Sequence, residues 1–235
     1  MGCSSSRQEM SEEESYLQDL EQELGYQNHQ VQEVDLIHRK YSFGGSINDS
    51  HFNHIVNHLK LAVSYSNAQE NIKAFYQQFK GEEAYHLEPL LVIGIFLSSG
   101  SAEIKAKLLF EAFDHFDNKV LDREAYLKMF KTMFDVNVKK LKILAEQKNP
   151  KNDHAIVFLE EIERGGKLFK KAFMNDILGD GDNCTLEGFV DKFRGKDKQH
   201  FMTTLGFRKE LRSCWKNEHK KQKMSKDHEK EGKTE

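Results

Sequence analysis

The sequence predicts an all-α fold, and three observations predict it. Lys, Glu, Leu and Phe are abundant and only two prolines, Pro89 and Pro150, occur, a composition that favours helices over a sandwich or barrel. Apolar residues recur at helical rather than alternating spacing, as in Phe52, Ile55 and Val56 or in Tyr126, Met129 and Phe130. One local pattern also returns four times: an apolar helix, a polar loop of about a dozen residues with an aliphatic near its eighth place, and a second apolar helix.

At 235 residues the chain accommodates one large or two small domains. The polar excess lies at the two ends, so the folded part is expected from about 31 to 207. A net charge of -3 gives no global basic field, which argues against a nucleic-acid binder. Charge is nevertheless segregated, with Glu12, Glu13, Glu14 and Glu21 near the start and Arg208, Lys209, Arg212 and Lys216 near the end. Cys3, Cys184 and Cys214 are too few and too scattered for a disulfide framework. No apolar run approaches the ~18–20 residues that span a bilayer, and the first residues lack the apolar stretch of a secretory signal. There is no Gly-rich phosphate loop, nucleophile elbow or zinc-binding His-Glu-x-x-His helix, so the expectation is a protein that is not an enzyme.

Met1-Gly2-Cys3-Ser4-Ser5-Ser6 matches the N-myristoylation pattern, with Gly2 as the acceptor. One myristoyl chain binds bilayers with K of only ~10⁴ M⁻¹, so stable anchoring takes a second signal. Cys3 is placed to supply it by palmitoylation. Tethering to the cytoplasmic face of a plasma or ciliary membrane is the resulting expectation. Ser11 followed by Glu14 forms a capping box, and Leu17, Leu20 and Leu24 follow at helical spacing. Residues 1–27 are therefore read as an acylated segment with a short acidic helix that packs on the body or binds a partner, packing being favoured because most apolar stripes are core.

Of the four repeats, the clearest enters through Phe110 and Phe113, has Leu121 in the eighth loop place, and leaves through Tyr126, Met129 and Phe130. An earlier copy has Gly45 at the sixth place, Ile47 at the eighth, and Phe52, Ile55 and Val56 beyond. Another enters through Phe75, Tyr76 and Phe79, takes Leu87 as its eighth residue and leaves through Val92, Ile95 and Phe96. The last enters through Phe169 and Phe173, has Cys184 at the eighth place, and leaves through Phe189 and Phe193. On these residues the body resembles the four-EF-hand calcium-sensor superfamily, in particular its neuronal calcium sensor, calcineurin B and calaxin-like branches. The resemblance implies two lobes, 28–100 with the first and second hands and 101–214 with the third and fourth. It also implies a regulator that docks a target helix in an apolar groove.

The loops are degenerate. Calcium needs several oxygens and a bidentate carboxylate at the twelfth loop place, which here holds His51, Leu91, Ala125 and Gly188, while the first place holds Lys40, Lys80, Asp114 and Ile177. The third loop keeps vestigial oxygens at Asp114, Asn118 and Asp122. Shifting the fourth loop back by one residue gives an alternative set from Asp176, Asp180, Asp182 and Glu187 at the cost of its apolar register, which leaves weak calcium binding open there alone.

The fourth repeat is delayed by an insertion at about 134–163 that reads as two helices, with the break at Asn149-Pro150. Residues 215–235 alternate Lys with Glu, His and Asp and are expected to be a disordered charged tail. The leading expectation is a membrane-tethered adaptor or regulator that binds a protein target, an amphipathic helix, with calcium binding weak or lost. Two other readings stay open: a working calcium switch of the acylated flagellar or ciliary type, and a static ciliary or cytoskeletal scaffold.

Overall fold

The computed structural model describes residues 10–64, 70–151, 153–178 and 181–231. The chain is all-α apart from two short ribbons. Helix α1 (Glu12–Gln22) leads into α2 (Val31–Lys40), β1 (Ser46–Ile47) and α3 (Asp49–His58). Then come α4 (Glu70–Gln77), β2 (Tyr85–His86) and α5 (Leu87–Leu97), followed by α6 (Ala102–Glu111), β3 (Val120–Asp122) and α7 (Arg123–Phe134). A π-helical segment, Asp135–Lys140, joins α7 to α8 (Leu141–Lys148). The chain ends with α9 (Asp153–Leu178), β4 (Asn183–Thr185), α10 (Leu186–Arg194) and α11 (Thr204–Glu231).

Local chemistry sets where these helices begin. The Ser11 hydroxyl accepts from the Glu14 amide at 3.4 Å, as the capping box predicts. Three of the four helices that leave the loops are capped alike: Asn48 accepts from the His51 amide, Asp122 from Ala125 and Thr185 from Gly188, whereas His86 before α5 makes no side-chain cap. The ribbons tie the loops in pairs. β1 runs antiparallel to β2 with Ile47 opposite Tyr85, and β3 antiparallel to β4 with Leu121 opposite Cys184.

The second loop departs from the sequence-based register by two residues. Tyr85, not Leu87, faces Ile47, and the twelfth loop place accordingly falls on Pro89 rather than Leu91. Packing gives the reason: Tyr85 is buried and stacks on Phe52 with ring centroids 4.0 Å apart, whereas Leu87 is half-buried. Pro89 lies in the first turn of α5, where a missing N–H is tolerated.

The boundary between 28–100 and 101–214 is not a gap in the core. Phe96 of α5 meets Phe207 of α11 edge-to-face at 5.8 Å, and one continuous set of buried side chains runs from Leu17 to Leu211. Buried Lys105 of α6 donates to the carbonyls of Phe96 at 3.1 Å and Met202 at 3.3 Å, and burial lowers its pKa to about 8. The insertion forms the two predicted helices, α8 and the first half of α9, which then continues unbroken into the fourth loop. The expected disordered tail differs more. α11 continues through Glu231, because its start is pinned by buried Phe207 and Leu211 and a nucleated helix propagates readily through Lys, Glu and Gln. Residues 232–235 lie outside the described residues.

Candidate functional site

Two regions carry chemistry: the paired loops and a groove on the outer side of α7 and α9. In the third loop, the Asp114 carboxylate accepts the amides of Asn118 and Lys119 at 3.2 and 2.8 Å. Asn118 Oδ1 accepts from Val120 at 3.0 Å, and Asp122 Oδ1 from Ala125 at 2.8 Å. These oxygens thus organise the loop's own backbone. Asp117 and Lys119 adopt left-handed φ of 49° and 59°, a conformation that glycine takes at less cost. With Ala125 at the closing place, no side-chain oxygen completes a calcium shell, and the residues present do not fit that ion.

The fourth loop follows the apolar register. Cys184 is buried opposite Leu121, and its thiol is pushed up to about 11 by burial. Thr185 caps α10 at Gly188. Asp176 lies on α9, where its carboxylate pairs with Lys198, and Asp182 and Glu187 are exposed. Asp180 lies outside the described residues, as do Gly2 and Cys3. Among the described residues no three His, Cys, Asp or Glu side chains form a group suited to a metal. In the first pair of loops, Lys80 Nζ reaches across to Asp49 at 2.6 Å.

The groove is built by two antiparallel helices. Tyr126 stacks on Phe173 at 5.4 Å and Phe130 meets Phe169 at 5.9 Å, which fixes α7 against α9. Further along, Phe134 lies over Gly166, where an added Cβ would come within 2.4 Å of its ring. The result is a cleft of about 860 Å³. Leu127, Phe130, Phe134 and Gly166 contribute to its lining, and Phe116, 87% exposed, stands beside it on the third loop. Lys128 and Lys131 project from α7, Lys167 and Lys170 from α9. Lys128 bonds Glu88 at 2.6 Å, and Lys139 lies 3.9 Å from Glu163. Lys131, Lys167 and Lys170 are exposed, and their side chains make no hydrogen bond or ion pair with another described residue.

Sequence reasoning did not single out these lysines. Their spacing of three along each helix was a signal, but only the packing of α7 on α9 brings the two rows together. The chain matches no known family model, no curated protein and no solved structure.

Proposed function

We propose that this chain is a membrane-tethered regulatory or adaptor protein of the EF-hand type, binding a protein target through its helical body, with calcium coordination weak or lost. The observation that carries the reading is the pairing of the loops through their eighth residues, Ile47 with Tyr85 and Leu121 with Cys184, each strand leading into a helix. That layout is what an EF-hand pair requires, while the closing places His51, Pro89, Ala125 and Gly188 lack the carboxylate that calcium requires. Tethering through Gly2 and Cys3 rests on the acylation motif. No catalytic step is assigned to the chain.

Calorimetry tests the calcium part. At low micromolar calcium the protein should give no isotherm in the sensor range, Kd ~10⁻⁷–10⁻⁵ M, and any weak residual heat should disappear in Glu187→Gln. Two titrating sites would instead make the protein a switch that opens on calcium. Fractionation tests the tether: Gly2→Ala should move the protein to the soluble fraction and Cys3→Ser should do so in part, since one remaining anchor binds only marginally. Retention of both variants on membranes would end the acylation reading.

A further inference from the structure

Acidic peptides have a complementary surface on this molecule. We infer that the groove between α7 and α9 docks an acidic amphipathic helix of a protein partner, one whose apolar stripe is flanked on both sides by Asp or Glu. The inference rests on the target-binding reading above and gives it a place and a partner chemistry. Two rows of cations face one another across an apolar floor: Lys128 and Lys131 on α7, Lys167 and Lys170 on α9. A single basic face would suit any polyanion, whereas two rows separated by Leu127, Phe130 and Phe134 match a ligand with charge on both edges and apolar side chains between. Concavity points the same way, because a planar bilayer cannot follow a cleft of about 860 Å³ between two helices.

The charges are available for such a partner. The side chains of Lys131, Lys167 and Lys170 have no internal partner among the described residues, and of the three acids lining the groove Asp122 caps α7, Glu163 faces Lys139 and exposed Glu124 stands against five lining lysines, which leaves the cleft net basic. Phe116, 87% exposed beside the groove, offers an aromatic that a docked apolar stripe would cover.

The test uses the full chain, purified without acylation, and two synthetic helical peptides sharing one Leu/Phe stripe, flanked by Glu in one and by Lys in the other. Fluorescence anisotropy should show the Glu-flanked peptide binding at least tenfold more tightly, with the preference shrinking as salt is raised. The triple variant Lys131→Glu, Lys167→Glu, Lys170→Glu should lose about tenfold in affinity for it while keeping the wild-type melting temperature. Phe116→Ala should weaken both peptides without altering their order. Equal binding of the two peptides, or an unchanged triple variant, overturns the inference. So does a protein that ignores the peptides but binds phosphatidylserine vesicles through these three lysines, since they would then serve a lipid surface. None of these results bears on calcium or on Gly2, so the reading of the whole protein stands or falls separately.

Discussion

His38 shows how burial decides the chemistry of one side chain. Its Nδ1 lies 2.8 Å from the Val34 carbonyl, which can only accept, so Nδ1 carries the proton and Nε2 accepts from the Tyr26 hydroxyl at 3.2 Å. Burial disfavours the imidazolium and lowers the pKa to about 4 from the ordinary 6.5. A depressed folded pKa means that the unfolded chain takes up the proton first. The His38 contribution is therefore complete above pH 6.5 and is lost as pH falls toward 4. Urea unfolding at pH 7 and at pH 4.5 should differ by roughly 2 kcal/mol more in the wild type than in His38→Gln. Identical pH slopes in the two proteins would remove His38 as the source. Nothing in the sequence marks this residue, because a histidine near a helix end reads as solvated until Tyr26 is seen packed over it.

Between elements, the crossing of α9 and α11 turns on one missing methyl group. A Cβ at Gly165 would lie 2.4 Å from the Leu211 carbonyl oxygen and 3.2 Å from Trp215 Cβ. Alanine is the better helix former by about 1 kcal/mol, yet backbone cannot yield as a flexible side-chain tip does. Gly165→Ala should thus destabilise by a net ~1–3 kcal/mol, read as a lower denaturation midpoint. Gly195 supplies the contrast, since nothing lies within 4 Å of an added Cβ and its φ of -69° suits any residue. Gly195→Ala should be neutral or stabilise by up to ~1 kcal/mol through the unfolded state. If both variants lost stability equally, the close approach at Gly165 would not be the cause. The Gly165-Gly166 pair reads from sequence as a weak spot in a helix, and the structure makes it a contact surface on two sides, toward α11 and toward Phe134.

For the molecule as a whole, the two charged ends of the chain meet in the interior. Arg208 of α11 is fully buried and donates to Glu14, at 2.7 Å from Nε, and to Glu21, both on α1, while the Thr204 hydroxyl donates to Glu21 at 2.8 Å. Burial alone would weaken the guanidinium's hold on its proton, but the two carboxylates more than offset it, and burial raises the Glu14 pKa despite Arg208. This network joins α1, with its buried Leu17 and Leu20, to the last helix. Removing one member leaves uncompensated buried charge. Arg208→Met should cost about 3–5 kcal/mol, and adding Glu14→Gln and Glu21→Gln should recover part of it, as thermal melting would show. A triple variant no more stable than Arg208→Met would mean that the arginine acts by packing rather than by charge.

What the sequence determined is local. Helical spacing, capping residues and loop length set the all-α class, the start of α1 at Ser11, the facing of Leu121 with Cys184 and the break between α8 and α9. It also showed that the places of His51, Ala125 and Gly188 hold no carboxylate, since a side chain that is absent from the chain cannot be supplied by folding. Tertiary structure decided whatever depends on which faces meet. It seated Tyr85 instead of Leu87 opposite Ile47 because an aromatic could stack on Phe52. It brought Arg208 to Glu14 and Glu21, which are separated by most of the chain. It also set the lysines of α7 beside those of α9, because two helices that look like separate charged surfaces in sequence become one basic groove only when Phe130 and Phe169 pack between them.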